Sequence, residues 1–400
     1  MNSDSSNSSL YYLVIRTLAL SLCLGVFAVR IESQDFKTVH DGVEYAQVDH
    51  KLGSEPVKIN LLRLDLTKVR LDVHHAMDAA IGTEKASSIA IRHGAVAAIN
   101  GGFFRLDSSV YAGEAAGILQ IDGQLLSESL NERSALFILN FGFNTEVLMG
   151  RPATPLSVSL GPKSLDISGI NRERKDNELI LYTNLFHRTT LTNPGGIEVA
   201  VIGNSVFRVY PGLGNNPIPQ NGYVLSATGT MAEEVREVAT GKLGVTLHIG
   251  VTAGRDGIGL PDPGRFGFLR FRGYWDITNG VSQLTKGGKI NLTWEDEKAS
   301  KTFAETRHPR TAVAKLKDGK FLMMTVDGRQ PEVSVGMTLQ ELAEYLLSLG
   351  AVDAMNLDGG GSTTMFLDGK VVNTPSDKEG ERKVGDAILV TLRKKPPVKK

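Results

Sequence analysis

Asn356-Leu357-Asp358-Gly359-Gly360-Gly361-Ser362-Thr363-Thr364 sets a carboxylate beside three glycines and a hydroxyl, a combination able to face charge of both signs. Glycines let the backbone approach a ligand without Cβ obstruction, and successive N–H groups can then cradle an anion. Asp358 opposes such an anion when ionised but suits a developing positive centre; a glycosyl phosphate presents both charges. The segment equally suits a tight turn in which Asp358 caps its own backbone, and by itself it leaves both readings open.

Arg307-His308-Pro309-Arg310-Thr311 adds two guanidinium groups and an imidazole just before the strand-like Ala312–Leu316. The arginine fork matches phosphate oxygens, although isolated arginines are commonly solvated loop charges and a histidine often only satisfies a carbonyl. Asn100-Gly101-Gly102-Phe103-Phe104 ends a strand-like run with an amide, two glycines and two rings. That set can hold a sugar hydroxyl and pack a ring face, or simply turn the chain ahead of two core phenylalanines. Asp327-Gly328-Arg329 closes Phe321–Val326 and reads either as a loop or as a further catalytic carboxylate. His74-His75 and Glu198 lack a metal-ligand spacing, so no metal ligands and no cofactor are assigned.

The elements that must position these residues alternate in type. Ile59–Leu66 and Val69–His75 read as strands, Glu84–Arg92 as a helix and Ala95–Ile99 as a strand. Asp-Gly pairs at Asp122-Gly123, Asp318-Gly319 and Asp368-Gly369 sit between apolar runs and predict three hairpins. Arg151–Gly280 is rich in Gly, Pro and Asn and carries strand-like pieces at Leu179–Thr183, Gly196–Ile202, Tyr223–Ser226 and Gly244–Val251, predicting additional β structure with long loops. Leu339, Leu342, Ala343, Leu346 and Leu347 have helical spacing, with Thr338 and Glu341 as a capping box and Gly350 at the end. The strand Ala354–Leu357 then delivers the glycine turn to a strand's carboxyl end, a common place for ligands.

Lys plus Arg (44) balance Asp plus Glu (44), so no whole-molecule field favours nucleic acid or an anionic membrane. A polar Met1–Ser9 followed by the mainly apolar Leu10–Val29 predicts an export signal, with an uncleaved anchor as the alternative. The mature chain is expected to begin shortly after Val29, in a secreted or periplasmic setting, soluble and off the membrane once the signal is removed. The single cysteine, Cys23, lies in that segment, so the remainder must be held by its core without disulfides. Residues 1–34 are thus expected as signal or anchor, 35–393 as one catalytic domain with a mixed, mainly antiparallel sheet and helices (α+β), and the basic 394–400 as a disordered tail.

Asn100–Phe104, Arg307–Val313, Asp327–Arg329, Gly336–Thr338 and Asn356–Met365 occur in the order and approximate spacing of the phosphodiester glycosidase family, which this chain resembles over most of Ala86–Leu392. Gly195-Gly196-Ile197-Glu198 and Ile218–Ser226 also look family-like. The resemblance implies a hydrolase that takes a sugar from a sugar phosphodiester or phosphorylated glycan, with bacterial relatives linked to exopolysaccharide. It gathers Asn100, Arg307, His308, Arg310, Asp327, Asn356, Asp358 and Ser362 around one cleft. From their chemistry we expect Asp358 to meet the oxocarbenium-like centre, His308 or Asp327 to move a proton, and Arg310 to hold the leaving phosphate. Arg307 and the Gly359, Gly360, Gly361 and Ser362 amides would assist that clamp, and Asn100, Gly101, Gly102 and Asn356 would receive the sugar. Two competing readings are a noncatalytic glycan-binding or polysaccharide-assembly protein and a metal-dependent phosphodiesterase using Asp327, Asp358 and Asp386.

Overall fold

The computed structural model describes residues 34–238, 244–252, 254 and 275–393. The export-signal and basic-tail readings fall on residues outside this set.

The elements that build the site are, in chain order, β1 (Val43–Leu52), β2 (Glu55–Leu64), β3 (Val69–His75), α1 (Ala86–Arg92), β4 (Ala97–Asn100), β5 (Trp275–Asn279), β6 (Arg310–Leu316), β7 (Phe321–Val326), α2 (Leu339–Ser348), β8 (Ala351–Asn356), β9 (Met365–Leu367) and β10 (Asp386–Leu392). An eight-stranded sheet runs in the order Lys37–His40, β1, β2, β7, β6, β8, Gln283–Lys286, Lys289–Ile290. A five-stranded sheet has the order Lys370–Val371, β9, β4, β10, β3, so that β10 pairs antiparallel with both β3 and β4.

Alternation along the strands divides the large sheet's two faces. Ile59, Leu61, Ala312, Ala314 and Met324 pack with Leu339, Leu342 and Leu346 of α2. Their neighbours Leu62, Leu64, Val313 and Met323 turn the other way and join Val73, Ile99, Ile388 and Val390 of the smaller sheet. The outer face of that smaller sheet, through Ala98 and Leu389, is covered by Ile89 and Ala90 of α1. The order is therefore helix, sheet, sheet, helix. Leu342 is fully buried, so its truncation to alanine is expected to cost about 2–5 kcal/mol.

Helix α2 starts with the expected capping box: the Thr338 side chain accepts from Glu341 N, and Glu341 accepts from Thr338 N. Gly350 follows its end at φ 86°, a conformation that favours glycine. All three predicted hairpins form, between Leu119–Ile121 and Gln124–Ser127, between β6 and β7, and between β9 and Lys370–Val371. The expected balance of sheet and helix needs correction, since strands make up 46% and helices 12%. The cause is the stretch between β4 and β5, which builds strands of three further sheets, including Leu179–Thr183, Ile197–Ile202 and Gly222–Ala227. Glu198, fully buried there, accepts from Thr190, Thr192, Asn216 and Ser226 and is a structural anchor.

Candidate active site

At one end the layer between the two sheets changes from apolar to polar. Asn60, Thr325 and Thr311 lie side by side across β2, β7 and β6. Thr311 Oγ1 donates to Asn100 Oδ1 (2.8 Å), Thr364 N donates to the same oxygen (3.1 Å), and Asn100 Nδ2 donates to the Asp358 carbonyl (2.7 Å). Asn356 Nδ2 donates to the Val281 (3.2 Å) and Leu357 (2.7 Å) carbonyls. Both amides are buried. They hold the glycine turn against the sheets, which corrects the expectation that they reach a sugar.

Gly101 and Gly102 are likewise turned to the protein. Gly101 N donates to the Asp386 carbonyl (2.9 Å) and its carbonyl accepts from Asp358 N (3.1 Å). A Cβ on Gly101 would lie 2.3 Å from Asp386 Oδ2, so only glycine fits. Asp386 accepts from Gly102 N (3.0 Å) and Thr278 Oγ1 (2.6 Å), and burial pushes its carboxyl up.

In the glycine turn, Gly359 N donates to Asp358 Oδ1 (2.9 Å), Gly360 N to the Pro309 carbonyl (2.9 Å) and Ser362 N to the Gly359 carbonyl (3.1 Å). These three N–H groups point inward, so they do not form the anion cradle expected of them. Cationic side chains crowd the turn instead. Arg382, paired with Asp377 (2.7 Å), lies against Gly361, and Arg329 lies against Gly360. Arg329 is exposed, with a long 3.5 Å contact to Ser376 Oγ.

The expected phosphate clamp is also corrected. Arg310 is 1% exposed and donates to the carbonyls of Met337 (2.8 Å), Phe303 (2.8 Å) and Thr306 (3.0 Å). Burial lowers its pKa to about 10. Arg307 engages Glu341, the capping residue of α2, through Nη2 (2.6 Å) and Nε (3.0 Å). Both arginines therefore fasten the segment that starts β6 to α2 and its neighbours. Asp327, also 1% exposed, accepts from Thr374 N (3.1 Å) and Asn373 Nδ2 (3.2 Å). Sealed and hydrogen-bonded, it is placed as an anchor for the chain after β9 rather than as a proton carrier.

Asp358 remains. It is half-buried as a residue, and burial of its carboxyl pushes its pKa up to about 6, opposed by the Ser362 hydroxyl, the Gly359 N–H and the Arg382 charge. Ser362 Oγ is buried and lies beside that carboxyl. Half-buried Arg133 feels the charge of Asp358, lies 5.6 Å from the Phe103 ring centroid and has a buried, unpartnered Nε. His308 precedes Pro309, whose carbonyl meets Gly360; burial and the charges of Arg310 and Arg329 hold its imidazole below the usual range and therefore neutral at pH 7. The structure thus gathers Asp358, Ser362, the glycine turn, the Arg307–Arg310 segment and Arg329. Sequence reasoning quoted Arg329 in its tripeptide without giving it a role, and it missed Arg133 and Arg382, which sit in no recognisable motif. A groove of about 490 Å³ lined by Gln120, Thr183, Tyr223 and Trp275 among others shares none of these residues.

A half-buried aspartate flanked by guanidinium groups thus sits at the polar end of two packed sheets. Residues 195–391 match the phosphodiester glycosidase family model. N-acetylglucosamine-1-phosphodiester alpha-N-acetylglucosaminidase of Bos taurus is 36% identical over 104 residues, 26% of this chain and 19% of that protein. The SPbeta prophage-derived protein YomE of Bacillus subtilis is 36% identical over 99 residues, 25% of this chain and 14% of its own length. The matched segments are thus a fifth or less of these relatives. The fold is shared with a hypothetical protein from Synechocystis, at TM-score 0.71 and 21% identity over 90% of this chain and 63% of that one.

Proposed function

We propose that the chain is an exported glycoside hydrolase that breaks the sugar C1–O bond of a sugar phosphodiester, releasing the sugar and a phosphate monoester. The observation that supports it is Asp358, a half-buried aspartate whose carboxyl is pushed up to about 6 by burial and lies within reach of the Arg382 and Arg133 charges. At pH 7 it is mostly ionised and faces the carbon where positive charge develops. The bond's electron pair leaves with the phosphate oxygen, and Arg329, whose fork is the least engaged, takes that anion. A phosphate monoester has a second pKa of about 6, so it departs with little need of a strong acid. Water attacks C1, and its proton passes to the neutral His308 imidazole. The bovine relative's name points to N-acetylglucosamine as the first sugar to try.

The test is incubation of the chain with a panel of sugar 1-phosphodiesters and mass analysis of both products. Free sugar with phosphate retained on the other product supports the reading; phosphate left on the sugar makes the protein a phosphodiesterase, and no turnover makes it a binding protein. Amino-terminal sequencing of exported material, expected to start shortly after Val29, tests the leader.

A further inference from the structure

We propose that His74, Asp78 and His93 form a second site, one that binds a transition dication such as Zn²⁺ or Ni²⁺ and shares no residue with the Asp358 cleft. The sequence gives no hint of it, because the three residues come from three elements: the end of β3, the turn after it, and the position that closes α1. Folding brings one ligand atom from each within 4.8 Å of the others. Two imidazole nitrogens and one carboxylate oxygen suit borderline metals, whereas Mg²⁺ and Ca²⁺ prefer all-oxygen shells.

Two observations show that the cluster is prepared for a cation. The His74 and His93 rings stack at 3.6 Å between centroids, an arrangement unfavourable to two charged rings. Second, His93 Nε2 lies 3.1 Å from Asp78 Oδ1, which only accepts, and 2.9 Å from Arg92 Nη1, which only donates. Arg92 Nη1 also donates to Asp78 Oδ2, so a guanidinium cation already sits against both of these ligand residues. A dication bound by Nε2 and Oδ1 together would take the place of that guanidinium. Arg92 then keeps Glu84, which its Nη2 already reaches at 2.9 Å.

The test is calorimetric titration of the full chain, stripped of metal, with Zn²⁺, Ni²⁺ and Mg²⁺. Zn²⁺ and Ni²⁺ are expected to bind at one equivalent and Mg²⁺ not to bind. The sequence has eight histidines, so the site is located by variants. His74→Gln and His93→Gln are each expected to weaken binding by at least ~10-fold, as loss of a ligand should exceed the effect of losing a supporting contact. Arg92→Met, which removes the competing donor, is expected to tighten it, an outcome that a purely structural role would not give. Should a histidine variant fail to fold, Asp78→Asn, on an exposed turn, carries the same expectation of weakening. Absence of saturable Zn²⁺ binding, or binding unchanged in the ligand variants, overturns the proposal whatever the activity assay shows.

Discussion

Replacing Asp358 by asparagine should make the protein more stable while making it a poorer catalyst. The carboxyl is raised from 3.8 to about 6 by burial, an interval of about two pH units. At about 1.4 kcal/mol per unit, ionising Asp358 in the folded state costs up to about 3 kcal/mol more than ionising it in the unfolded chain. The sign follows from the raised acid: below pH 3.8 both states hold the proton and the penalty is absent, it grows between 3.8 and about 6, and above 6 it is constant. Asparagine is neutral throughout and can still accept the Gly359 N–H through Oδ1. The half-buried position of the residue makes the 3 kcal/mol figure, about two units' worth, an upper bound. Urea unfolding at pH 8 should therefore show a higher midpoint for Asp358→Asn than for the natural chain, and the gap should close toward pH 4. Turnover on the cleaved phosphodiester should fall by about a hundredfold or more, roughly 2.7 kcal/mol of transition-state stabilisation. A variant that is less stable at pH 8, or one that turns over normally, would refute the reasoning.

The same titration predicts an acid limb: log(kcat/KM) should be level above about pH 6 and fall by one unit per pH unit below it, an absence of that limb removing Asp358 as the working carboxylate. Arg329→Ala should lower kcat/KM by about 10–100-fold while leaving the unfolding midpoint unchanged, since the side chain is exposed and loosely held. Arg310→Lys should destabilise the fold by roughly 3 kcal/mol, read by urea unfolding, because an ammonium on a shorter reach cannot serve three carbonyls from a buried position.

What could be read from the sequence were features whose physics is local. The capping box at Thr338 and Glu341, the Asp-Gly hairpins and strands such as Val69–His75 depend on residues a few positions apart, and each formed. Strand β1 escaped because its outer half alternates exposed and intermediate residues, with Gln47, Asp49 and Lys51 exposed, leaving a weak apolar signal. The motifs fold into one neighbourhood, but the division of labour inside it was not readable. Arginine at Arg310 and amides at Asn100 and Asn356 have the same letter whether they face a ligand or a carbonyl, and only burial separates the two. Long-range neighbours such as Arg133 near Asp358, or His93 beside His74, have no local signature at all.

The position of β10 has a consequence for synthesis. It lies between β3 and β4, so β3 has no partner in the smaller sheet until Asp386–Leu392 has left the ribosome. The chain must carry Val69–His75 without that partner until Asp386–Leu392 emerges, and closure then joins segments far apart in sequence, a slow step in any polypeptide.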